Sequence, residues 1–175
     1  MTAYSFFVAV HVTAGTVALA TFWLSALLRK GSTAHVWVGR TYLLSMCGVL
    51  VSALPMVAQR IADGRWVAAV FLGYLVVLVA TTVWLAWRSI RDKAAPARYL
   101  GPLYRALMVL NPVAGALVLA TGLQAAQPLL IGFSLVGLLV GVDMWRRRRV
   151  IPAQPRWWMQ EHYGAMVGNG ANHAA

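Results

Sequence analysis

The chain has 175 residues, of which 61% are hydrophobic and 11% charged, and its fifteen basic and four acidic side chains leave a formal net charge of +11. A soluble domain carries roughly 25% charged residues, so the composition excludes an ordinary water-soluble fold and predicts one integral-membrane domain over 1–175. Cys47 is the only cysteine; it excludes an internal disulfide framework and reads as a small packing residue.

Apolar stretches of about 18 residues or more are read as spanning helices. The first runs from Tyr4 to Leu28 and reads as a retained helix rather than a cleaved leader, because no basic stretch precedes it. Arg29 to Thr33 form a turn in which Ser32 or Thr33 caps the next helix, Ala34 to Ala58, with Pro55 near its end. A short loop around Ala62-Asp63-Gly64 leads to a third segment, Trp66 to Ile90. A basic connection follows from Arg91 to Tyr104. The fourth segment, Arg105 to Leu123, should be kinked at Asn111-Pro112. The fifth runs from Pro128 to Trp145 and is expected to stop at the run Arg146 to Arg149. The last opens at Trp157 and runs to Ala175. The fold class is thus all-α, a polytopic bundle of about six segments. The chain stops at His173-Ala174-Ala175 without a charged flank, which predicts that the native protein continues.

Alternate connections hold thirteen and two of the basic residues, the two being Arg60 and Arg65. Cytoplasmic loops collect Lys and Arg, so the expectation is a bacterial inner-membrane protein with a periplasmic N-terminus. The same distribution assigns the positive charge to anionic lipid headgroups beside the inner loops. It argues against nucleic acid, since no basic surface interleaved with aromatics lies outside the spans. Trp66, Trp84, Trp87, Trp145, Trp157 and Trp158 fall near segment ends, where amphipathic rings favour the interface.

The final segment is weakly apolar. Gln160, Glu161, His162, Asn169, Asn172 and His173 sit among glycines and alanines, so it should pack inside the bundle. His162, Met166, Asn169 and His173 form one helical stripe, and Gly164, Gly168, Ala171 and Ala175 a neighbouring small-residue seam.

The four histidines fall at two depths. His11 and His173 lie about 25 Å from the inner ends of their segments, whereas His35 and His162 lie close to the inner face. The pattern H-V-x-x-G-x-x-x-L occurs twice, at His11 to Leu19 and His35 to Leu43. Gly15 and Gly39, one turn beyond their histidines, clear space for a flat ring. Two levels of paired imidazoles resemble the plan of two-haem membrane cytochromes, which makes His11 with His173, and His35 with His162, candidate iron ligands. Quinone binding by the same residues, and histidines that are simply hydrogen-bonded in place, also fit.

Haem propionates favour basic partners. Arg40, Arg146 and Arg156 supply them at the inner level, while the outer level offers only Arg60 and Arg65. Asp143 is the one acid placed firmly in a span and should pair with Arg40 or Arg105. Asn111 should satisfy carbonyls freed by Pro112. No P-loop, G-x-S-x-G, CxxC or HExxH motif occurs, so no catalytic residue is assigned and catalysis stays open.

H-x-x-x-G-x-x-A-L at His11, H-x-x-x-G-R-x-Y at His35 and H-x-x-x-M at His162 resemble a family of bacterial predicted inner-membrane proteins of unknown function. The resemblance covers the two ends of the chain and implies a multi-helix membrane bundle with no assigned activity. Two functions are open: electron transfer on haem b or quinone, and a non-catalytic accessory subunit of a larger respiratory or photosynthetic membrane complex.

Overall fold

The computed structural model describes residues 3–167. Five long helices account for most of it: α1 (Ala3–Leu27), α2 (Thr33–Ala62), α3 (Trp66–Arg91), α5 (Pro102–Gln124) and α6 (Pro128–Val150). All five are long and apolar enough to cross a membrane. Between them lies one turn of helix, α4 (Pro96–Tyr99); a 3₁₀ turn (Ile151–Ala153) leads to α7, described over Trp157–Val167. The protein is an all-α helical membrane protein. His173 and Asn169 lie outside the described residues.

α2 runs on past Ala58 to Ala62, and three further features differ from the sequence reading, each for a local reason. α6 continues through all four arginines to Val150. Arginine is a good helix former, and cations at a helix C-terminus are favourable. The helix ends where Pro152 can no longer supply an N–H. α5 starts at Pro102 rather than Arg105, because proline is preorganised for the first helical position. The basic connection after α3 holds the short α4, again opened by a proline, Pro96. Its anchor is Asp92, 3% exposed, which takes Arg88 Nε at 2.5 Å and Arg98 Nε at 3.7 Å.

Contacts divide the chain into two compact units, Met1–Leu72 and Gly73–Ala175. The first is an antiparallel hairpin of α1 and α2. Ser32 caps α2 by accepting the His35 N–H at 3.2 Å. At the far end Arg60 Nη2 donates to the Tyr4 hydroxyl at 2.8 Å. Cys47 is exposed on α2, not a packing residue.

In the second unit α5 and α6 are packed almost backbone to backbone. A Cβ placed on Gly115 would lie 2.9 Å from the Ser134 carbonyl oxygen, and one on Gly122 would lie 2.9 Å from Leu130 Cβ. On α6, Gly137 faces Tyr74 and Gly141 faces the ring of Pro112. Small residues permit this approach, and in lipid such packing is a main source of helix association. Tyr74 from α3 wedges into the α6 ladder: its hydroxyl donates to Phe133 O at 2.6 Å and accepts from Gly137 N at 2.8 Å. These two backbone groups would otherwise be i, i+4 partners. Buried Asn111 donates to Thr81 Oγ1 at 2.9 Å and to Leu107 O at 2.7 Å. The carbonyl it satisfies is therefore one residue before the one that Pro112 releases.

The core of this unit lies at its arginine-rich end. Tyr99 is fully buried, with ring centroids of Trp157, Tyr104 and Trp84 at 4.7, 5.3 and 5.6 Å. Trp84 and Trp157 thus serve an aromatic core and do more than line an interfacial belt. Tyr104 donates to Met144 O at 2.8 Å, tying the start of α5 to the end of α6.

Candidate functional site: the histidines and their partners

His11 and His35 occupy equivalent places in the α1–α2 hairpin. His11 Nδ1 lies 3.2 Å from Val49 O and 3.1 Å from Ser52 Oγ on α2. His35 Nδ1 lies 3.2 Å from Ser25 O on α1. Fourteen residues separate His11 from Ser25, and fourteen separate His35 from Val49. Exchanging the helices exchanges the two bonds, and the repeated H-V-x-x-G pattern is the sequence trace of that relation. The two imidazoles sit at opposite ends of the hairpin, about 21 Å apart along it.

The tautomer follows from the partners. A backbone carbonyl only accepts, so His35 Nδ1 must carry the proton. Ser52 is buried, and its hydroxyl donates to Gly48 O at 2.7 Å or Val49 O at 3.0 Å. It therefore accepts from His11 Nδ1–H. In each neutral ring the lone pair is then on Nε2, and neither Nε2 has a hydrogen-bond partner among the described residues. An Nδ1–H held by a carbonyl, as in His35, is the kind of bond that orients a metal-ligating histidine and raises its basicity.

The adjoining glycines are open. A Cβ added to Gly15 or Gly39 would meet nothing within 4 Å, whereas one at Gly48 would meet Ala14 Cβ at 3.2 Å. Gly48 is explained by helix contact; Gly15 and Gly39 are not. An interior glycine costs a helix roughly 1 kcal/mol relative to alanine. Arg40, beside Gly39, is exposed and stacks on Trp37 at 5.8 Å.

The second unit holds His162 on α7. Its Nδ1 lies 3.3 Å from Ala86 O of α3. Met166, one turn on, is half-buried. Among the described residues no group of three or more His, Cys, Asp and Glu converges as a metal site.

Sequence reasoning missed the charged centre of this unit. Glu161, 6% exposed, accepts from Tyr99 Oη at 2.7 Å on one carboxylate oxygen and pairs with Arg147 Nε through the other. Asp143 forms no ion pair with Arg105; its cationic neighbours are Arg147 and Arg146 on its own helix. The usable signal was the spacing of Glu161 from Trp157, one turn back on the buried face. Burial, reinforced by the Glu161 carboxylate, pushes the Tyr99 hydroxyl well above the usual tyrosine range. Tyr99 therefore stays a donor. A raised folded pKa means that its contribution is intact below about pH 10, the unfolded value, and is lost as pH rises further. Stability should fall more steeply above that pH in the wild type than in Tyr99→Phe, by about 1.4 kcal/mol per unit. Denaturant titrations of both proteins between neutral and alkaline pH check this; parallel profiles would refute it.

Compared with known proteins, the chain matches no family model, no curated protein and no solved structure.

Proposed function

We propose that the chain is a multi-pass protein of a bacterial inner membrane that binds haem b or a quinone through its histidines and takes part in electron transfer. The observation that carries this reading is the state of His11 and His35. Each spends Nδ1–H on the neighbouring helix and keeps Nε2 as a lone-pair donor beside a glycine with open space above it. Nε2 can coordinate haem iron directly or accept a hydrogen bond from a quinol hydroxyl. On this reading Arg40 would supply a cation to a propionate held at His35, and Arg146 and Arg156 would do so at His162; His173 and Asn169 belong to the proposed residue set. The histidine motifs support the further proposal that the chain is akin to the bacterial inner-membrane family named above.

Haemochrome assay and quinone extraction of the purified protein test the reading. His11→Ala and His35→Ala should each lower cofactor content at least several-fold while the protein still elutes as a folded species. Full occupancy in both variants would overturn it.

The second reading, an accessory subunit, draws on the bareness of the hairpin: only 6% of the apolar window of α1, and of α2, is buried. Those faces need lipid or neighbouring helices, so co-purification of a stoichiometric membrane partner with no bound cofactor would favour this reading.

The proposed topology puts the N-terminus in the periplasm, on the thirteen-to-two split of basic residues. In a Cys47→Ala background, a cysteine introduced at Ala126 should react with an impermeant thiol reagent on intact cells. Labelling only after the membrane is broken would reverse the orientation.

A further inference from the structure

A cavity of about 430 Å³ opens at the arginine-rich end of the second unit, lined by Leu100, Tyr104, Arg105, Arg148 and Arg149. All three guanidinium side chains are exposed. The described ion pairs use Arg60, Arg88, Arg98 and Arg147, so no carboxylate neutralises these three. Their placement is fixed from both sides. The Tyr104–Met144 bond holds the first turn of α5 against the last turns of α6. Trp145 lies under Arg149 at 4.4 Å and Arg148 at 5.6 Å. The amino end of α5 adds to the field: Gly101 provides no side-chain cap, which leaves first-turn N–H groups beside the arginines.

We propose that this cavity is a binding site for the headgroup phosphate of an anionic phospholipid. Guanidinium groups suit phosphate because they donate in a planar fork. Two observations favour a lipid over a soluble anion. The cavity sits at the ends of two spanning helices, and Leu100 and Tyr104 give it an apolar wall. The neighbouring α5 and α6 surfaces, at Leu103 and Val142, are apolar and exposed, so acyl chains can continue from the phosphate along them. Basic pockets between spanning helices recognise lipid headgroups in this way.

The test uses the full chain in detergent, with bound lipid counted by native mass spectrometry and Tm followed in parallel. Phosphatidylglycerol should be retained at least tenfold better than phosphatidylcholine and should raise Tm. The triple variant Arg105→Gln/Arg148→Gln/Arg149→Gln should lose that preference, whereas the charge-matched Arg29→Gln/Lys30→Gln/Arg91→Gln should keep it. If the triple variant cannot be purified, Arg148→Gln alone should weaken retention roughly fivefold, the value of one cation near a headgroup. Equal loss in the control would show diffuse attraction and overturn the site, as would an unchanged preference in the cavity variants. An equal rise of Tm with inorganic phosphate alone would overturn the assignment to lipid.

Discussion

Gly141→Ala should destabilise the second unit by about 1–3 kcal/mol, the usual penalty for forcing one extra methyl into a packed interior. The added Cβ would lie 2.5 Å from Pro112 Cδ, 2.7 Å from Pro112 Cγ and 3.1 Å from Met108 O. Neither a proline ring inside a helix nor a backbone carbonyl can swing aside. Relief therefore requires α5 and α6 to separate, which loosens the Gly115, Gly122 and Gly137 contacts along the same seam. Gly132, on the same helix, provides the control, since a Cβ there meets nothing within 4 Å; Gly132→Ala should be neutral or slightly stabilising through helix propensity. Reversible unfolding of both variants in detergent measures the difference. Equal stabilities would mean that the seam is not as tight as described.

The second large effect belongs to Glu161. Its carboxylate joins α7, α4 and α6 by accepting from Tyr99 and Arg147. Glu161→Ala would leave the Arg147 charge and the fully buried Tyr99 hydroxyl without their partner. Removing one member of a buried pair costs about 3–5 kcal/mol, most of it from the group left behind. Arg147 is 27% exposed, so the lower end, about 3 kcal/mol, is expected. Because α7 is short, the loss should appear first as its detachment. Limited trypsin digestion at Arg156, in the turn before α7, should accelerate at least tenfold in Glu161→Ala. Neutralising both partners together, in Arg147→Gln/Glu161→Gln, should recover part of the loss. Unchanged cleavage would show that α7 is held by Trp157 and its aromatic neighbours alone.

The spans were legible because their cause is composition: long apolar runs must be helical in lipid, where every backbone polar group needs an internal partner. Ser32 as a helix cap was legible for a similarly local reason. Charge does not stop α6, which runs through all four arginines, and proline marks the start of α5. Pro102 and Pro152, which act through the backbone, were the better markers. The tertiary pairings were hidden. Nothing local distinguishes Gly137 and Gly141, which face another backbone, from Gly132, which faces open space. The partners of His11 lie 38 and 41 residues away, and that of His35 lies 10 away. The repeated histidine-glycine pattern did mark the hairpin relation, although the bonds themselves needed the structure. Glu161 was visible as an isolated acid, but its partners, 62 and 14 residues distant, were not.

On the proposed function, His11 and His35 each present Nε2 to a redox cofactor. The most direct measurement is a dithionite-reduced minus air-oxidised absorption spectrum of protein purified gently from bacterial membranes, alongside His11→Ala and His35→Ala. Folded wild-type protein should give either the bands of haem b or the ultraviolet change of quinone reduction, and each variant should diminish them. A flat difference spectrum from folded wild-type protein, with no haem or quinone extractable from it, would rule out a redox cofactor at these histidines.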